Sequence, residues 1–118
     1  MENKAIFMQG TNNMVWKDVP MPVITEGDVL VKVKAVGICG SDMHYYQYGR
    51  IGDFVVEGDF ILGHEAAGEV VEIGKGVKSL KVGDRVALEP GVTCGQCEYC
   101  KTGLYNLCPD VRFFATPP

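Results

Sequence analysis

The sequence predicts a mainly β, barrel-like domain with little helix. Three observations predict it: fifteen glycines in 118 residues, short apolar runs with a period of two, and turn signals at close intervals. A chain of this length makes one domain rather than two. It buries roughly two-thirds of its unfolded surface, so a core without staples is expected.

The elements follow in order. Residues 4–9 and 13–19 read as two short strands around the turn Gly10-Thr11-Asn12. Pro20 and Pro22 forbid a central strand after them. From Asp28 to Val36 apolar and charged residues alternate, as in a half-buried strand. Gly37-Ile38-Cys39-Gly40 breaks it; Ser41-Asp42 then caps a short helix over Met43 to Tyr48, closed by Gly49. A second apolar run, Ala66 to Ile73, follows Gly63-His64-Glu65 and ends at Gly74-Lys75-Gly76. Val82-Gly83-Asp84 turns the chain into a strand from Arg85 to Leu88, which Glu89-Pro90-Gly91 ends. Val111 to Pro118 runs out in a double proline with no closing strand or helix, as if cut from something larger.

Composition narrows the function. Net charge is −4, and the basic residues, Lys32, Lys34, Lys75, Lys78, Lys81 and Lys101 among them, are scattered. Nucleic acid requires clustered positive charge, so it is not an expected partner. No apolar stretch suits a signal peptide or a membrane span, so a cytoplasmic location without membrane contact is expected. Five cysteines, an odd number, fit a reducing compartment better than a disulfide framework.

Four of them, Cys94, Cys97, Cys100 and Cys108, follow the pattern Cys-x2-Cys-x2-Cys-x7-Cys. Thiolates at this spacing wrap one ion, and four complete a tetrahedron with no position for water. Structural zinc is the leading reading. An iron–sulfur cluster is the second, since the first three cysteines and Cys108-Pro109 imitate a ferredoxin run, although its last gap is three residues. Disulfides are the third. Apart from these stand Cys39, His64 and Glu65, each beside a glycine-rich break. Singly they read as a small buried hydrophobe, a structural histidine and a surface charge. Together they offer an open, mixed-donor metal site. It is not a His-Glu-x-x-His helix, because Gly68 stands where the second histidine belongs. Ser41 and His44 read either as a cap and a surface histidine or as a two-step proton path. The tyrosines at 45, 46 and 48 read as packing or as a pocket wall. No glycine-rich nucleotide loop occurs.

In series, Gly37-Ile38-Cys39-Gly40-Ser41-Asp42-Met43-His44, Gly63-His64-Glu65-Ala66-Ala67-Gly68, Val82-Gly83-Asp84-Arg85-Val86 and the cysteine loop resemble the N-terminal, GroES-like catalytic domain of zinc-dependent medium-chain alcohol dehydrogenases. The resemblance spans essentially residues 1–118. His44 to Gly52, Tyr105 to Pro109 and Phe113 to Pro118 look most like the sorbitol, or polyol, branch, which includes xylitol dehydrogenases. It implies a GroES-like barrel with short helices and a zinc-binding lobe. It further implies catalytic zinc on Cys39 and His64 with Glu65 as a ligand or near neighbour, and structural zinc on Cys94, Cys97, Cys100 and Cys108. Ser41 would relay a proton, His44 would carry it out, and Tyr45 and Phe113 would line a pocket for a small polyol. The implied activity is oxidation of a secondary alcohol to a ketone, with NAD as the full-length protein's second cofactor. The resemblance also implies a homo-oligomeric parent whose Rossmann domain, and a further zinc ligand, lie beyond this chain. The chain alone is then not expected to bind NAD or turn over polyols. A non-catalytic zinc-binding module and an iron–sulfur carrier are the competing readings.

Overall fold

A computed structural model describes residues 2–117; Met1 of the N-terminal reading and Pro118 of the double-proline reading lie outside the described residues. Strands β1 (Lys4–Gly10) and β2 (Asn13–Asp18) form the first hairpin, in register from Lys4↔Asp18 to Met8↔Met14. Its tip is turned by Asn12 at φ 58°, a left-handed conformation that asparagine tolerates better than most residues. Strand β3 (Val29–Gly37) leads into helix α1 (Gly40–Tyr48). A two-residue ribbon follows, β4 (Arg50–Ile51) with β5 (Phe54–Val55). Then come β6 (Phe60–Ile61), β7 (Glu65–Ile73), β8 (Arg85–Ala87), β9 (Gly91–Val92), the single-turn helix α2 (Glu98–Lys101), a 3-10 turn at Tyr105–Leu107 and β10 (Arg112–Phe113).

These strands make two antiparallel sheets of three, ordered β2-β1-β6 and β3-β7-β8, and two ribbons, β4-β5 and β9-β10. The β3–β7 ladder is the longest, running from Val29↔Ile73 to Gly37↔Glu65. Gly68 lets it close: a Cβ there would stand 2.3 Å from the Lys32 carbonyl oxygen, a contact no side chain survives. Fully buried side chains are few, Met8, Tyr45 and Val70 being the large ones.

The core is thinner than the chain length led us to expect. The accessible surface is 8510 Å², against about 6,300 Å² for a compact monomer of this mass. Large apolar side chains stay open to solvent, Trp16 at 68%, Ile38 at 79% and Val23 at 90% exposure. Two local readings are also corrected. Helix α1 starts at Gly40, with Cys39 as its N-cap, instead of being capped by Ser41-Asp42. The reason is that the Asp42 carboxylate reaches back from the first turn and accepts the Cys39 N–H at 3.0 Å. The end of the helix is as expected: Gly49 turns left-handed at φ 72° and donates its N–H to Tyr45. The stretch after Val111 does contain a short strand, since Arg112 pairs with Val92 and Phe113 with Gly91.

Candidate functional site

The register of the longest ladder builds the first site. Gly37 ends β3 directly opposite Glu65, which begins β7. Two residues beyond Gly37 the chain reaches Cys39, and one residue before Glu65 stands His64. One ligand atom from each of Cys39, His64 and Glu65 lies within 4.8 Å of the others. Cys39 is half-buried, the His64 side chain is 9% exposed, and Glu65 is exposed. Sulfur, nitrogen and oxygen donors in one small space suit zinc, which accepts all three.

Asp42 links Cys39 to His64, a role its place in the helix cap did not announce. While one carboxylate oxygen holds the Cys39 N–H, the other stands 3.4 Å from His64 Nδ1. That approach satisfies distance but not hydrogen-bond direction, so Nδ1 is a buried nitrogen without a hydrogen-bond partner. A carboxylate behind a ligating histidine fixes the ring and raises its basicity.

Of the other residues singled out, Phe113 comes to the site, its ring centroid 6.1 Å from that of His64. Ser41 is half-buried in the first turn of α1. His44, one turn further, is exposed and packs on Tyr48 with centroids 4.8 Å apart. Tyr45 is 1% exposed and meets Phe60 edge-on at 5.8 Å; burial pushes its phenol above the usual tyrosine range. That position matches the packing reading of Tyr45, and a pocket-lining role rests on resemblance alone.

The second site is the cysteine loop. Cys94, Cys97, Cys100 and Cys108 bring their four sulfurs within 4.8 Å of one another, and all are free thiols. Cys100 Sγ stands 3.4 Å from Cys97 Sγ and 3.9 Å from Cys94 Sγ. Thiolates bound to zinc at about 2.3 Å on a tetrahedron lie about 3.8 Å apart, so the cluster already has the required size. Backbone N–H groups of Gln96 and Cys97 point at Cys94 Sγ, that of Cys100 at Cys97 Sγ and that of Cys94 at Cys108 Sγ. The Gln96 and Cys97 N–H groups hold the Cys94 thiol down to about 7. The Cys100 N–H pulls the Cys97 thiol the same way, yet burial and the neighbouring sulfurs push it up to about 11. Four thiolates crowded this closely need a cation to keep them all ionised.

The decisive comparison is with protein families: residues 25–116 match the alcohol dehydrogenase GroES-like domain. This chain belongs to that family. Among relatives of the GroES-like domain described here, sorbitol dehydrogenase of Bacillus subtilis is 62% identical over 98% of the chain and 33% of the relative's length. A probable D-xylulose reductase A of Arthroderma otae is 54% identical over 99% of the chain and 33% of its own length. Mouse sorbitol dehydrogenase is 53% identical with the same coverage. Among solved structures, an Escherichia coli oxidoreductase/dehydrogenase of unknown specificity superposes with a TM-score of 0.88 at 46% identity, covering all of the chain and 34% of that protein. A Sinorhizobium meliloti protein described as a zinc-binding dehydrogenase and solved with NADP superposes at 0.76 with 34% identity, over 98% of this chain and 33% of its own. The GroES-like chain thus spans about a third of the length of the curated relatives it matches.

Proposed function

We propose that the protein carrying this chain is a zinc-dependent polyol dehydrogenase, and that residues 1–118 supply its catalytic domain. It would oxidise a secondary alcohol of a small polyol to a ketone, the carbon giving up hydride to NAD and the hydroxyl giving up a proton. The observation that carries this reading is the convergence of Cys39, His64 and Glu65 within 4.8 Å. A purely structural module has no use for a second, open donor set beside a closed one. The sorbitol dehydrogenase and xylulose reductase relatives support the substrate class. Their dehydrogenase names speak against an iron–sulfur carrier.

Zinc held by these three residues would supply Lewis acidity, making a nearby hydroxyl acidic at neutral pH. The chain's own groups do the rest. Asp42 orients the histidine ring and fixes the backbone at the cysteine. Ser41, two residues beyond Cys39, would take the substrate's hydroxyl proton. His44 lies three residues further along the same helix, where i and i+3 side chains are neighbours. Being exposed, it can pass that proton to water. Phe113, beside His64, gives the substrate an apolar wall. Zinc on Cys94, Cys97, Cys100 and Cys108 would keep the lobe in shape without chemistry.

The test is NADH formation by the intact protein with sorbitol or xylitol. Steady turnover is expected, and Ser41→Ala is expected to lower kcat about a hundredfold while zinc content stays unchanged. No oxidation of either polyol, or an S41A variant as fast as the parent, would refute the reading.

A further inference from the structure

We infer that Gly37 is a positioning residue for the metal site, because its bare backbone is the space in which the Glu65 carboxylate lies. The inference rests on the metal reading of Cys39, His64 and Glu65. Gly37 and Glu65 are directly cross-strand at the end of the β3–β7 ladder. A Cβ on Gly37 would stand 2.7 Å from Glu65 Oε2 and 3.2 Å from Glu65 Cβ. The first distance is shorter than any side-chain contact allows; the second is merely tight. The carboxylate is the free end of a flexible side chain, so it is the group that yields.

The backbone itself does not ask for glycine. Gly37 is not among the glycines with positive φ, unlike Gly49 or Gly63. Alanine is therefore compatible with the strand, and the three nearest atoms its Cβ would meet all belong to Glu65. Cross-strand pairs usually press two side chains against each other. Here one partner is absent, and the other folds back over the gap toward Cys39 and His64. A glycine in a strand often marks such a close approach. The same ladder uses Gly68 differently: there a Cβ would strike backbone at 2.3 Å, so that glycine serves the sheet, whereas Gly37 serves a side chain.

The experiment is a double-mutant cycle in the protein carrying this chain, with Gly37→Ala, Glu65→Ala and the double variant. Zinc affinity is read by competition with a chelator, and the visible spectrum of cobalt(II) is read at the same site. Zinc on the four cysteines serves as the internal control for folding. Glu65→Ala is expected to weaken zinc binding at the open site about 10- to 100-fold, and Gly37→Ala to weaken it by a similar factor. The double variant is expected to be no weaker than Glu65→Ala alone, because both changes remove one interaction. The cobalt spectra of the three variants should coincide and differ from the parent's. Should Gly37→Ala fail to fold while the double variant folds, the clash with Glu65 serves the fold rather than the metal site, and the inference is overturned. Wild-type affinity and spectrum for Gly37→Ala beside a weakened Glu65→Ala overturn the inference and leave the metal reading intact. Independent, multiplying losses, or misfolding of both alanine-37 variants, also overturn it. An unaffected Glu65→Ala overturns it together with the assignment of Glu65 to the metal.

Discussion

Cys39→Ala is expected to lower kcat/KM for polyol oxidation by about a thousandfold or more, with the fold unchanged. The size follows from what a metal does to a hydroxyl. Zinc can bring the pKa of bound water from 15.7 to about 7, so losing even a third of that acidification removes about three powers of ten. Cys39 supplies the sulfur of the trio, and a site left with His64 and Glu65 alone holds zinc poorly. The fold should survive because the cap of α1 depends on the Cys39 backbone N–H, which the Asp42 carboxylate holds, and alanine keeps that group. Steady-state kinetics with circular dichroism check both halves. Activity within tenfold of the parent would mean that this cysteine does not act through a metal.

Removing zinc from the cysteine lobe is expected to unfold the lobe itself. Few other forces hold it. Ribbon β9-β10 has two residue pairs, α2 spans four residues, and Leu104, Tyr105 and Leu107 are each about half exposed. Cys108, 3% exposed, is the one buried cysteine of the four. Binding free energy at a structural zinc site is folding free energy, of order 10 kcal/mol. Forfeiting even about 3 kcal/mol of it raises the open population more than a hundredfold. Lys101 lies exposed in α2 and reports the opening. Cys108→Ser, or treatment with a strong chelator, should accelerate tryptic cleavage after Lys101 by about a hundredfold or more. An unchanged cleavage rate would show that the lobe stands without its ion.

The long elements were legible because their residues carry local signals. β3 was legible from alternation, β1 and β2 from the turn between them, and β7 from an apolar run closed by glycines, each within a residue or two. The strands β4, β5, β6, β9 and β10 have two residues each, too few to show alternation, so the β9-β10 closure near the C-terminus escaped notice. The start of α1 was misplaced because Asp42 caps from inside the helix, whereas a cap residue usually precedes it. The clustering of the four cysteine sulfurs was legible, since Cys94, Cys97, Cys100 and Cys108 are close in sequence. The convergence of Cys39 with His64 did not: spacing alone left both with bland readings, and the resemblance to a known series brought them together. What joins them physically is the pairing of Gly37 with Glu65, a register set by the whole sheet. Asp42 and Gly37 were missed as site residues for the same reason. One bridges two ligands through space, and the other matters for the side chain it lacks.

One measurement addresses the central claim most directly: an anomalous difference map of crystals of the zinc-loaded protein, collected across the zinc absorption edge. The account predicts two peaks per chain, one enclosed by Cys94, Cys97, Cys100 and Cys108, the other between Cys39 Sγ, the imidazole of His64 and the carboxylate of Glu65. A single peak at the four sulfurs, with nothing at the end of the β3–β7 ladder, would contradict it.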